Sequence, residues 1–261
     1  MQQDSSGNWT SVDGRWRWDG QSWVPNPAGR WPAVPLSFVE VFSLPFSDPG
    51  WLGKCGVEGL IALIPVYGSF EILGWTLTYL DHLRAGRPDL PPARFGYAGR
   101  GAAPALVALI WGLGVLAVVL AVVGGLVAAM AAGSAQCPAG GSCASGSSAA
   151  GLVLLPLSFA LPGLALLVAV GEYFLALPVI LRSERLGVGQ GLDLLAAARM
   201  ARSRFAIAAA GAGMLFLIAF IAGFGVYACF VGVVFTYGLG AAMLGAALRW
   251  YEERIPVLPG T

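Results

Sequence analysis

The sequence predicts an all-α polytopic membrane protein: four full transmembrane helices, a re-entrant helical hairpin at 57–80, and a small β-meander at the N-terminus. Three observations carry that expectation. Of 261 residues, 57% are hydrophobic and only 11% charged, against about 25% charged in an ordinary soluble domain. Fifteen basic and fourteen acidic residues are too few to cover a soluble surface of this size, so most of the chain has lipid as its solvent. The apolar residues fall into blocks at 57–80, 103–132, 151–181 and 206–248, and the segments between them hold nearly all the charge. Finally, the basic residues are distributed by side. Segment 81–102 has Arg84, Arg87, Arg94 and Arg100; segment 182–204 has Arg182, Arg185, Arg199, Arg202 and Arg204; the C-terminal end has Arg249 and Arg254. The loop 133–150 has none. The positive-inside rule places the three basic segments in the cytoplasm and that loop outside.

The expected organisation is a Trp-rich head at 1–30, an interfacial linker at 31–56, a transmembrane domain at 57–250 and a cytoplasmic tail at 251–261. The opening "MQQDSSGNWTSVDG" has no apolar core of a secretory signal. In the head, "VDGRWRWDGQSWVP" (12–25) has two Asp-Gly turns flanked by alternating Trp and Arg, a strong short hairpin signal because such turns need residues tolerant of positive φ. A three-stranded meander with Trp9, Trp16, Trp18 and Trp23 as most of its core is expected. Those indoles hold together an element too small for an ordinary core; beside Arg15 and Arg17 they also offer a face for a peptide or a lipid headgroup. In the linker, Phe38, Phe42 and Phe46 recur every four residues, Pro45 limits any helix, and Trp51 and Lys54 are typical interfacial anchors. A segment lying along the inner membrane surface accounts for these features.

Block 57–80 is long enough to span, since 24 helical residues reach about 36 Å against a hydrocarbon core of about 30 Å. Pro65, however, cannot donate to Ile61, and "PVYG" (65–68) reads as a turn. Arg15, Arg17, Arg30 and Lys54 precede the block; a span would export them, whereas a fold-back keeps every basic segment on one side. The fold-back is favoured over a fifth span. In block 103–132, Pro104 suits a first helical turn. Block 151–181 contains Pro156, Pro162 and Pro178, tolerable where neighbours re-satisfy the freed carbonyls. Block 206–248 is too long for one span of about 20 residues and divides near "AGFG" (222–225) into helices at 206–223 and 225–248.

From about residue 46 the chain carries an Asp-Pro-x-Trp start (Asp48–Trp51), an Ile-Pro-x-x-Gly step (Ile64–Gly68), Gly74–Trp75, Leu90–Pro91, Phe95 and Gly101. Over about 55 residues this resembles a prokaryotic multi-span membrane-protein family of unknown function (domain of unknown function 4013). The head resembles a short Trp-Asp-Gly-x-x-Trp module found at the N-termini of bacterial membrane proteins. The resemblances imply a membrane fold and no reaction, ligand or cofactor. Arginine supplies all the basic residues but Lys54, and Ala and Gly abound, a bias that suits a GC-rich bacterial genome.

Candidate chemistry is sparse. Glu71 and Glu172 each precede a charged boundary residue by ten positions, which puts both at about 15 Å from the cytoplasmic boundary. Two such carboxyls could share a proton or hold a cation; alternatively each is bonded to backbone freed by Pro65 or Pro178 and serves packing. Cys137 and Cys143 in "CPAGGSC" are candidates for a disulfide on the outer side, and with no CxxC pair or nearby histidine no metal site is expected. Cys55 and Cys229 read as apolar fillers. Ala117, Ala121, Gly125 and Ala129 form a small-residue stripe at four-residue spacing, suited to close helix packing within the protomer or at a dimer seam. "RMARSR" (199–204), with Arg199, Arg202 and Arg204, would attract anionic headgroups.

His82 is the one histidine, and its neighbour Asp81 does not face it on a helix. No HExxH, Gly-x-Ser-x-Gly or phosphate loop is present, which argues against an enzyme. No cofactor and no nucleic-acid partner are expected. The leading expectation is a non-enzymatic scaffold or envelope-associated protein of the cell membrane, both termini cytoplasmic, with a head that engages a protein partner or the inner leaflet. The alternative is a small channel or transporter using Glu71 and Glu172. A transporter needs a polar cavity reaching those carboxylates; a scaffold buries them.

Overall fold

The structure is a computed structural model that describes residues 35–134 and 146–255, with short pieces of the head at 2–3, 9–10, 16–18, 21 and 23–25. Of the head, Trp16–Trp18 pairs antiparallel with Trp23–Pro25, placing Trp18 opposite Trp23. Both Asp-Gly turns lie outside the described residues.

The body is helical. Helix α1 (Phe38–Ser43) starts with a reciprocal cap: the Ser37 hydroxyl accepts from the Glu40 N–H and the Glu40 carboxylate accepts from the Ser37 N–H. A single 3₁₀ turn through Pro45 follows. The Asp48 carboxylate then accepts from the Gly50 N–H at 2.7 Å, an Asx turn that launches α2 (Trp51–Ala62). Helix α2 therefore begins at Trp51, six residues before the apolar block. Val41, Leu44 and Pro45 are buried rather than left on a surface.

At Pro65 the chain breaks as expected. The Tyr67 N–H donates to the Pro65 carbonyl at 2.7 Å, and Val66 sits at φ 64°, ψ −61°. This is a γ-turn of the rare positive-φ kind, which a β-branched residue adopts under strain. Helix α3 (Tyr67–Arg84) then runs back.

Among the described residues, four helices are long and apolar enough to cross a membrane: Ala98–Gly125 in α4 (Ala98–Ser134), Leu166–Leu186 in α5 (Gly146–Leu186), Phe205–Tyr227 in and just beyond α8 (Phe205–Phe224), and Gly232–Glu252 in α9 (Cys229–Glu252). Short helices α6 (Val188–Gly191) and α7 (Leu194–Ser203) link α5 to α8. The fourth block divides where expected, through a 3₁₀ turn at Gly225–Ala228. Neither arm of the hairpin at 51–84 is among the four candidate spans; the fold is four spanning helices plus a helical hairpin.

Two compact units divide the chain. In the unit formed by 1–105 and 173–261, α9 is the central helix. Glycines set its packing on the hairpin. A Cβ added at Gly59 would collide with the Val234 carbonyl, one at Gly238 with the Cys55 carbonyl, and one at Gly56 would sit 2.7 Å from the Phe235 ring. Residues 55 and 59 thus meet 238 and 234, so α2 runs antiparallel to α9. Along α3 the Thr76 hydroxyl donates to the Ala241 carbonyl at 3.2 Å, a Cβ at Gly245 would press on the Tyr79 ring, and Arg84 bonds Glu252. Helix α3 is parallel to α9, and its eighteen residues extend about 27 Å. The hairpin is no shallow dip.

Both ends of residues 36–84 lie at the C-terminal end of α9. The Leu36 N–H donates to Glu253 at 2.8 Å and the Leu36 carbonyl accepts from Arg254 at 2.7 Å. Arg84 donates to Glu252 and, through two nitrogens, to Glu184, whose side chain is only 3% exposed. Arg100 joins Asp81 and Glu184, and Arg185 pairs with Glu252. The ends of α3, α5 and α9 and the start of α4 are thereby joined at one end of this unit by forked, charge-assisted bonds.

The second unit, residues 106–172, holds the C-terminal part of α4 and the N-terminal part of α5. Among the described residues of this unit, Ala117, Ala121 and Gly125 are exposed, and a Cβ at Gly125 would meet nothing within 4 Å. The side chain of Ala129 lies outside the described residues.

Two outcomes follow for the hairpin. Gly59→Leu is expected to lower thermal stability in detergent by more than about 3 kcal/mol, because backbone rather than a flexible side chain blocks the new atoms, while Gly53→Leu, with open space around it, leaves stability within about 0.5 kcal/mol. Val66→Gly is expected to raise stability by about 1 kcal/mol through relief of the positive φ.

Candidate functional site

After α3 the chain does not enter α4 directly. Residues 87–97, "RPDLPPARFGY", run without regular structure, carrying three prolines that can donate no backbone hydrogen bond. An irregular segment beside apolar helices must have its remaining polar groups satisfied by protein. In this chain three buried carboxylates do so. Asp48 Oδ2 accepts from the Leu90 N–H at 2.8 Å, Glu58 Oε1 from the Arg94 N–H at 3.2 Å, and Glu71 accepts from the Gly96 and Tyr97 N–H groups at 3.0 and 2.7 Å. Carbonyls are met as well: Lys54 Nζ donates to the Leu90 carbonyl at 2.7 Å, Trp75 Nε1 to Pro91 at 3.3 Å and the Tyr97 hydroxyl to Pro92 at 2.8 Å. The return segment is thus laid along α2 and α3 from Asp48 to Glu71. Gly74 and Gly101 allow the close approach where α4 begins, since a Cβ at Gly74 would strike the Tyr97 carbonyl.

The three acids differ in what holds them. Glu71 is fully buried and its two oxygens take the Tyr67 hydroxyl and both return-segment N–H groups. Asp48 is 5% exposed and takes Lys54 Nζ at 2.7 Å and the Gly50 and Leu90 N–H groups. Burial pushes its carboxyl up, but the Lys54 bond and the two backbone donors outweigh that and hold it below the ordinary carboxylate value. Glu58 is fully buried with one long bond, and its Oε2 has no hydrogen-bond partner among the described residues.

Of the two glutamates that the sequence suggested as a pair, Glu71 is buried and engaged as described, whereas Glu172 is exposed and its unit is the second one. The residue that shares the return segment with Glu71 is Glu58, and sequence reasoning missed it as a partner. Its signal was present: both acids stand in the same greasy stretch, thirteen positions apart, on opposite sides of the proline turn.

Arg199, Arg202 and Arg204 are exposed on and beside α7, whose opposite side buries Ala197 and Ala201. Trp9 and Trp18 are 47% and 37% exposed; the surroundings of Trp16, Trp23 and Arg17 and all of Arg15 lie outside the described residues, as do Cys137 and Cys143. Cys55 is buried against α9, as a filler would be. His82 Nδ1 lies 2.9 Å from the Asp89 carbonyl, while Asp81 serves Arg84 and Arg100, so the two neighbours form no dyad. No group of three potential metal ligands occurs among the described residues.

The Asp48 contribution to stability has a definite pH sign. Its native value is depressed, so the contribution is complete above the ordinary value of 3.8 and is lost as pH falls through the native one. The difference in melting temperature between wild type and Asp48→Asn, measured from pH 7 down to about 2, is expected to shrink toward zero. No protein-family model, curated protein or solved structure matches the chain.

Proposed function

We propose that the protein is a non-enzymatic membrane scaffold: a packed helical platform that presents the Trp-rich head to a protein partner or to the membrane surface. The observation that supports this reading is the use made of Glu71. Its oxygens are occupied by Tyr67, Gly96 and Tyr97, so the carboxylate closes a backbone instead of lining a route for an ion. A transport site needs a charge that can exchange partners; this one is spent.

The reading includes an orientation. The ends of residues 36–84, the Arg100 side chain and the C-terminal end of α9 all gather at one end of the same unit. On the positive-inside rule that end is cytoplasmic, and both termini share it. The motif resemblance is part of the proposal too. The Ile-Pro-x-x-Gly step is the hairpin turn and the Leu-Pro step belongs to the return segment, so the motifs that suggest the family of unknown function are the ones that build the hairpin. Exposed Arg199, Arg202 and Arg204 suit anionic headgroups, each worth about 1 kcal/mol near the surface.

The function is tested by flux. Purified protein in liposomes is expected to pass protons and potassium no faster than protein-free vesicles; a flux that Glu71→Gln or Glu172→Gln abolishes would establish the channel instead. Orientation is tested with Ser6→Cys in an otherwise cysteine-free chain. An impermeant thiol reagent is expected to leave intact cells unlabelled and to label the head after lysis.

A further inference from the structure

We propose that Glu58 is a proton-binding site: its buried carboxyl is neutral at neutral pH, with the proton on Oε2, while Glu71 beside it is ionised.

The inference comes from the unequal provision for two acids on one segment. Glu71 has three donors, two at 2.7 and 3.0 Å from backbone and one from Tyr67. Three donors can replace the water that an ionised carboxylate gives up on burial. Glu58 has one, the Arg94 N–H at 3.2 Å, and its second oxygen is buried with no partner among the described residues. A carboxylate with one long hydrogen bond in a low-dielectric site is far more costly than a neutral carboxyl with an unmade bond.

The surroundings add no counter-charge. From α3, Glu71 is the charge that acts on Glu58, and it repels a second negative charge. From the return segment comes the Arg94 N–H, while the Arg94 guanidinium is exposed and lies 5.9 Å from the centre of the Tyr97 ring. From α9 the residues against the adjacent glycines are Val234 and Phe235, neither of which ionises. On α2 itself, Lys54 is one turn away and committed to Asp48 and Leu90, and Cys55 is buried against α9. Burial and the Glu71 charge favour the neutral form, and the single Arg94 N–H bond opposes them without outweighing them. The ligand is a proton, the holder is Glu58, and the segment that senses its release is 94–97, since both acids bond there.

Infrared difference spectroscopy on purified wild type and variants reads the proton directly. Wild type at pH 7 is expected to show the C=O stretch of a buried protonated carboxyl, shifted in D₂O, absent from Glu58→Gln and retained in Glu71→Gln. Raising the pH is expected to remove the band, and the melting temperature of wild type to fall over the same interval. The sign follows because a native state that holds a proton longer than the unfolded chain loses stability as pH rises; Glu58→Gln flattens that fall. No such band in wild type at pH 7, or a band that survives in Glu58→Gln, overturns the proposal. Because wild type alone supplies the first readout, a variant that fails to fold leaves the test intact. Absence of ion flux does not bear on it, since a held proton need not move across the membrane.

Discussion

The hydrogen bonds from residues 87–97 to Asp48, Glu58 and Glu71 are the interaction on which the rest of the first unit depends. A backbone without regular structure cannot stay beside lipid-facing helices unless its N–H groups find acceptors. A carboxylate can serve two donors at once, as Glu71 does, and that is more than one backbone carbonyl on a neighbouring helix can usually offer. Two of the three acids are fully buried, and each is placed one to three turns into a helix where the return segment passes. Burying acid is costly in general. In this fold the cost is offset because the alternative is a row of orphaned amides.

The hairpin has to be tight for this to work, and glycine makes it tight. Gly56 and Gly59 let α2 lie against Phe235 and Val234, and Gly238 and Gly245 return the favour on α9. With the hairpin drawn close to α9, the far side of α2 and α3 is left free to receive the return segment. The ion pairs at the other end lock the same arrangement. Arg84 joins Glu184 and Glu252 from two other helices, so α3 is held at its end by charge and along its length by close contact. Glu184 is almost fully buried and is held by Arg100 as well as Arg84, so only the loss of both arginines would leave a stranded charge.

Much of the architecture was legible in the sequence because its causes are local. Pro65 breaks a helix wherever it sits in one, the uncharged stretch 206–248 exceeds any single span, and arginine placement separates the two ends. The doubling back could be read from those arginines alone, and Leu36 beside Glu253 agrees with it. What could not be read are relations between distant residues. Gly59 and Val234 are far apart in the chain, and nothing local distinguishes the glycines that touch backbone from the Ala117–Gly125 stripe that is exposed. That Glu58 shares the return segment with Glu71 was hidden for the same reason. Depth counted from a boundary treats helices as straight rods side by side, whereas the acid that matters lies across a turn. The Trp-rich head is the reverse case, clear as a local pattern, with both of its Asp-Gly turns outside the described residues.

Loops usually accept insertions and deletions more readily than the elements they connect. The stretch 90–97 inverts that expectation. It has no regular structure, yet it is fastened at Leu90, Pro91, Arg94, Gly96 and Tyr97 to the side chains of Lys54, Trp75, Glu58 and Glu71 on two rigid helices. Removing or adding one residue would carry every later anchor past its acceptor by about 3.5 Å, so the length of this coil is as tightly constrained as the register of a strand.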